Sequence, residues 1–267
     1  MDSLTLPRSV LLALWLAEPS PGSGPVQRLL DAVQGDDEPH RVTTPAPAAT
    51  DGPASGTEPA TLADLVAVWA SGPRTVAAVL PAPGDPSGAP AAIAGAAQDA
   101  GEAVLVSTPD GDWAAIPRVE AFGSVYEPGH LVTWEVSRVP AWQHALIGQV
   151  GTLREAEREL TGALSRATEA LTSLDVARWR EDAAEQIAAL SRGADAGWTL
   201  PPGLEQRRVR VLTTAARLRA IVDLATGDDG AAVNLWQVDQ RSTALRDVDR
   251  AARRALAAAT QPGPPER

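Results

Sequence analysis

The sequence predicts an α+β protein: a mixed sheet of four or five strands with helices packed on it, followed by an antiparallel four-helix bundle. Three observations carry this expectation. Up to Pro140, short runs of branched residues alternate with turn clusters. Beyond Pro140, apolar residues recur at three- and four-residue steps and no convincing strand is found. The charge divides at the same place. Residues 1–140 hold six arginines against 17 acidic residues, whereas residues 141–267 hold 17 of each, so the net charge of −11 belongs to the first half. The expected domains are an acidic α/β domain at 1–139, a bundle at 140–260, and a disordered tail at 261–267.

Two short helices open the chain, at 7–17 and 25–33, each entered at a proline. The first carries Leu11, Leu12, Leu14, Trp15 and Leu16, too short a run to span a bilayer and without the basic flank of a signal peptide. A short strand is expected at 41–44. Residues 45–60 are almost wholly small residues, proline and glycine, and read as a flexible linker. Order resumes at Thr61, an N-cap with Asp64 three residues on. Strands at 75–80 and 103–107 flank a helix at 89–100, a spacing that implies a βαβ unit with parallel strands. Antiparallel strands follow at 113–122, where Pro117 argues for an edge, and at 130–139, with turns at 108–112 and 127–129. The bundle helices are expected at 153–174, 175–193, 204–226 and 231–260.

Several chemistries are excluded outright. There is no cysteine, hence no thiolate zinc site, thiol nucleophile or disulfide. There is no lysine, hence no Schiff base and no P-loop. No Gly-x-Ser-x-Gly elbow or His-Glu-x-x-His pair occurs. An acidic half repels phosphate backbones, and no basic run elsewhere reverses that, so no nucleic-acid partner is expected. No cofactor and no resident metal is expected either.

Candidate sites are few. Asp36, Asp37, Glu38 and His40 form the densest polar cluster. Carboxylates beside an imidazole can hold a metal ion, but consecutive residues point apart and Pro39 stiffens the turn, so the segment reads foremost as a loop. The loop 81–88 would sit at the carboxyl end of a parallel strand, the usual ligand position in open α/β sheets. Its prolines withhold N–H donors from a phosphate, leaving Asp85 and Ser87 as candidate ligand contacts. His130 shares the parity of Val132 and Trp134 and is expected to point inward. Trp198 lies in a Gly/Ala/Pro loop, either plugging the bundle or anchoring a partner. Arg207 and Arg208 head an arginine-rich helix, either paired with neighbouring carboxylates or forming a strip that docks a partner.

The first helix (Ser9-Val-Leu-Leu-Ala-Leu-Trp15), the segment Gly35-Asp-Asp-Glu-Pro-His40 and the phrase Leu174-Asp-Val-Ala-Arg-Trp-Arg180 resemble those of uncharacterised conserved proteins of high-GC actinobacteria. The resemblance implies a source and no activity. The composition points away from an enzyme and toward a cytoplasmic, non-enzymatic interaction or regulatory protein that meets a protein partner through its bundle. The alternative is a small-molecule binding protein or enzyme with its site at the loop 81–88.

Overall fold

The computed structural model describes residues 4–18, 23–44, 60–124, 127–173, 197–226 and 235–262. The chain divides into two compact units. The sheet unit comprises Pro7–Gln149, Thr199–Gly203 and Thr260–Arg267; the helical unit comprises Met1–Leu6, Val150–Trp198 and Leu204–Ala259.

In the sheet unit, strands β1 (Arg41–Thr43), β2 (Thr75–Val79), β3 (Ala103–Thr108), β4 (Gly111–Ser124) and β5 (Glu127–Arg138) form one sheet in the order β1-β5-β4-β3-β2. The sheet is mixed because β1 runs parallel to β5, while every other pair is antiparallel. Helix α1 (Arg8–Leu16) is apolar all round from Val10 onward, and every residue from Ser9 to Leu16 is buried. It lies against β2 and β3. Helices α2 (Ser23–Gln34) and α3 (Leu62–Trp69) complete that layer, and α4 (Ala94–Ala100) packs on β4. Thr61 begins α3 with a reciprocal capping box to Asp64. The Arg74 guanidinium donates to the carbonyls of Leu16, Glu18, Ala70 and Gly72, and so closes the ends of α1 and α3 together.

Three sequence expectations are corrected here. First, β2 and β3 are antiparallel. A parallel crossover must return the chain along the whole strand, about 16 Å for five residues. Residues 90–93 are turns, so α4 has only seven residues, about 10 Å, and Gly101 (φ +73°) sends the chain straight back from the end where β2 finished. The loop 81–88 therefore does not lie at the end of a parallel strand. Second, β4 is interior, not an edge. Its pairing with β3 ends at Ala115, however, so Pro117 sits where only β5 is paired, and the ladder tolerates it. Third, residues 127–129 are strand, not turn, since Ser124 already pairs with Glu127. Gly129 suits that strand because the Phe122 ring lies over it; a Cβ there would meet the ring at 2.5 Å.

One of the two edges, β2, is buried from Val76 onward, and its Ala78 N–H donates to Thr260 Oγ1 at 2.8 Å. That bond blunts the edge against further strand pairing. Trp142 and Leu146 bury α5 (Gln143–Val150). Gly151 (φ +77°) and a Thr152–Glu155 capping box end that helix and start the next.

The helical unit contains α6 (Leu153–Ser173), α7 (Gln206–Thr226) and α8, which runs Leu235–Thr260 and passes out of the unit at its last residue. The expected helix at 175–193, the linker at 45–59 and the tail from 263 lie outside the described residues. Buried apolar residues line α6 (Ala156, Leu160, Ala163), α7 (Val211, Leu212, Ala215, Leu218, Val222) and α8 (Leu245, Val248, Ala252, Leu256). One ion pair joins each couple of helices: Glu157–Arg207, Glu159–Arg254 and Arg219–Asp249. Arg208 also donates to the Ala259 carbonyl at 2.6 Å. The first turns of α6 and α7 thus meet the last turns of α8 at one end of the unit. The Arg208 and Arg219 ties fix α7 and α8 as antiparallel. Among the described residues, no helix is long and apolar enough to cross a membrane.

Candidate functional site

The densest polar constellation described in the sheet unit centres on Asp37. Gly35 (φ +54°) ends α2, and the Asp37 N–H then turns back onto the Gln34 carbonyl at 2.9 Å. This tight exit swings the Asp37 carboxylate inward, where only 10% of the side chain remains exposed. Arg8, at the start of α1, donates through Nε and Nη2 to Oδ2 at 3.0 and 2.5 Å. His40 Nε2 approaches the same oxygen at 3.3 Å, and His130 Nδ1 on β5 bonds Oδ1 at 3.0 Å. One carboxylate therefore joins α1, the α2–β1 connection and β5. Burial raises its carboxyl pKa, but the Arg8, His40 and His130 bonds outweigh this and leave it below its ordinary 3.8.

His40 is wholly buried, and the Trp134 indole Nε1 lies 3.1 Å from its Nδ1. An indole nitrogen only donates, so Nδ1 must be the bare, accepting nitrogen. The proton is then on Nε2, facing Asp37. Burial lowers the His40 pKa below its ordinary 6.5, outweighing the upward pull of Asp37, and Arg8 adds to the lowering. Both ring nitrogens are engaged, so His40 has no lone pair left for a substrate. His130 differs: its side chain is 41% exposed, and its Nδ1 faces the Asp37 carboxylate. It shares the face of Val132 and Trp134, as the sequence implied, but it lies beyond the core and not within it. No described group of three or more His, Asp or Glu side chains is arranged to hold a metal ion.

The structure does not unite the other sequence candidates with this cluster. Ala82 and Asp85 exchange backbone hydrogen bonds of 2.9 and 2.8 Å, and Asp85 Oδ1 accepts from the Ser87 N–H at 3.2 Å. The Asp85 carboxylate thus serves its own turn, and Ser87 is buried with left-handed backbone (φ +46°). In the helical unit, half-buried Trp198 donates its indole N–H to the Leu4 carbonyl at 2.5 Å. Arg207 pairs with Glu157, and burial lowers the pKa of Arg208, whose guanidinium closes the end of α8. Sequence reading singled out Asp37 and His40 but missed Arg8 and Trp134 as their partners. The available signal was the shared parity of His130 and Trp134.

The family model for the N-terminal domain of Rv1486c-like proteins matches residues 9–150, and that for the C-terminal domain matches residues 154–257. The chain belongs to the Rv1486c-like family. The two family domains meet at residues 151–153, where Gly151 and the Thr152 cap separate α5 from α6, and the two compact units divide at Gln149/Val150. Helix α5 lies in the N-terminal family domain and, except for Val150, in the sheet unit. Asp37, His40, His130 and Trp134 all lie in the N-terminal family domain. Comparisons with curated proteins and with solved structures find no match.

Proposed function

We propose that this Rv1486c-like chain is a non-enzymatic interaction protein of the cytoplasm, whose helical unit is a four-helix bundle that receives a protein partner. The observation that carries this reading is the internal engagement of Asp37 and His40. Asp37 has three partners and both nitrogens of His40 are taken, so neither is left to act on a substrate. Topology supports the bundle. α6 and α7 begin at the same end of the unit, the placing that a bundle gives its first and third helices. Arg207, Arg219 and Arg254 hold these helices through ion pairs and Arg208 through the Ala259 carbonyl, so in this reading Arg207 and Arg208 brace the unit, and Trp198 is tied to the Leu4 carbonyl. The contact itself belongs to the outer face of α6, where Leu164 is 42% exposed beside the buried Leu160 and Ala163.

A second reading keeps a small-molecule site at the loop 81–88. It is favoured by the left-handed backbone of the buried Ser87, a conformation that costs a non-glycine residue about 1–2 kcal/mol.

One experiment addresses both. The full chain and Leu164→Glu are purified from the native host and examined by native mass spectrometry. The expected result is one stoichiometric protein held by the wild type and lost from the variant. No stoichiometric partner, or one that Leu164→Glu retains, overturns the first reading. A small molecule travelling with both chains supports the second.

A further inference from the structure

We propose that His40 and Trp134 form a pH-sensitive latch: uptake of a proton from solvent at His40 Nδ1 breaks the bond from the Trp134 indole and releases β1 from β5. The geometry allows no gentler outcome. In the folded state Nδ1 must be bare, because the indole N–H 3.1 Å away can only donate. A proton on Nδ1 sets two donors against each other in a fully buried place. The Nε2 side offers no escape, since its proton already faces Asp37.

The groups around His40 set the direction of the response. Asp37, on the same connection, favours the charged ring, but it already carries the Arg8 guanidinium from α1 and His130 from β5. Arg8 opposes a second positive charge. Gln34, at the end of α2, accepts from the His40 backbone N–H, and Leu62, at the start of α3, donates to the His40 carbonyl. These last two contacts are uncharged and cannot stabilise a cationic ring. Protonation is therefore resisted while the latch is closed and favoured once it opens.

The structure also indicates what would move. β1 is a strand of three residues joined to the sheet only through β5, its other side held by the segment 60–62, where the Val42 N–H donates to the Ala60 carbonyl at 2.9 Å, and Val42 is the register partner of Trp134 itself. Trp134, which loses its acceptor when His40 takes up the proton, is thus a member of the pairing that opens, and His40 directly precedes β1. Release uncovers the β5 edge at Thr133–Glu135 and frees the β1 segment next to it.

The test uses the full-length chain labelled with ¹⁵N. Long-range ¹H–¹⁵N spectra report the His40 tautomer, and hydrogen exchange reports the Trp134 indole and the β1 amides. At pH 8, His40 should be the neutral Nε2–H tautomer with a protected indole. As the pH falls below 6.5, the protection of the indole and of β1 should fall together, approaching about tenfold per pH unit, the limit for one proton. The β3 amides should stay protected. In His40→Asn, whose side-chain oxygen can accept from the indole without titrating, protection should persist through the same range. In His130→Gln the opening should remain. The latch is refuted if His40 becomes protonated with the indole still protected, or if β1 and β3 lose protection together. It is equally refuted if His40→Asn opens like the wild type. Should His40→Asn fail to fold, the wild-type spectra decide alone.

Discussion

In the sheet unit one carboxylate, Asp37, serves three partners at once, and a histidine from the same cluster is sealed in the core. In the helical unit the acid–base pairing is spread out. Glu157 and Glu159 hold one arginine each, Asp249 holds Arg219 and Arg253, and these acidic side chains are between 27% and 53% exposed. The difference shows why similar residue types can have unequal weight. A buried carboxylate with several donors fixes the relative positions of three chain segments, and its loss leaves other polar groups without partners. Rim pairs lie in high dielectric and compete with water, so each contributes about 0–1 kcal/mol.

The largest expected effects come from apolar burial, where the units should respond alike. Trp134→Ala removes a fully buried ring and leaves His40 Nδ1 without its donor; a loss of about 3–5 kcal/mol is expected. Leu160→Ala, in the helical core, should lose about 2–5 kcal/mol. Urea unfolding followed by circular dichroism measures both. A Trp134→Ala chain that unfolds at the wild-type midpoint would remove the indole from the account of the core.

A smaller effect should separate the units. Asp37→Ala leaves Arg8, His40 and His130 without their shared acceptor and should cost about 1–3 kcal/mol. Glu157→Ala breaks a half-exposed pair and should cost under about 1 kcal/mol. Equal shifts in urea midpoint would abolish the contrast between a concentrated and a distributed network.

The smallest effect is one of sign. The Asp37 pKa is lowered on folding, so its stabilisation is present above pH 3.8 and is lost as the pH falls through the folded value. Asp223 on α7 moves the other way. Although the residue is exposed at the surface, partial desolvation of its carboxyl raises its pKa above 3.8, Arg219 lowers it in part, and Asp249 adds to the rise. Its charge therefore weighs against folding at neutral pH, and the penalty fades as the pH falls through the raised value toward 3.8. Asp223→Asn should melt at or slightly above the wild-type temperature at pH 7, with the gain shrinking in acid. A clear drop in Tm at pH 7 would show that the carboxylate is stabilising where it lies.

Much of the fold was legible because the controlling interactions are local. Thr61 and Asp64 are three residues apart, so a capping box can be read directly. Alternation placed Val132, Trp134 and Val136 on one buried face, and the three- and four-residue steps of α6, α7 and α8 located their buried seams. Charge composition marked an acidic first half. Chain length and spacing did not decide strand direction, which depended on a helix five residues shorter than its alanine-rich segment suggested. Nor did they show that the Asp36–His40 segment is more than a loop. Arg8 lies 29 residues from Asp37, and His130 lies 93, so their meeting at one carboxylate has no local signature. The tertiary structure decided it by stacking α1 over the sheet and pairing β1 with β5. That arrangement gives two separately unremarkable histidines different settings, one buried with both ring nitrogens engaged and one partly exposed with Nδ1 on Asp37.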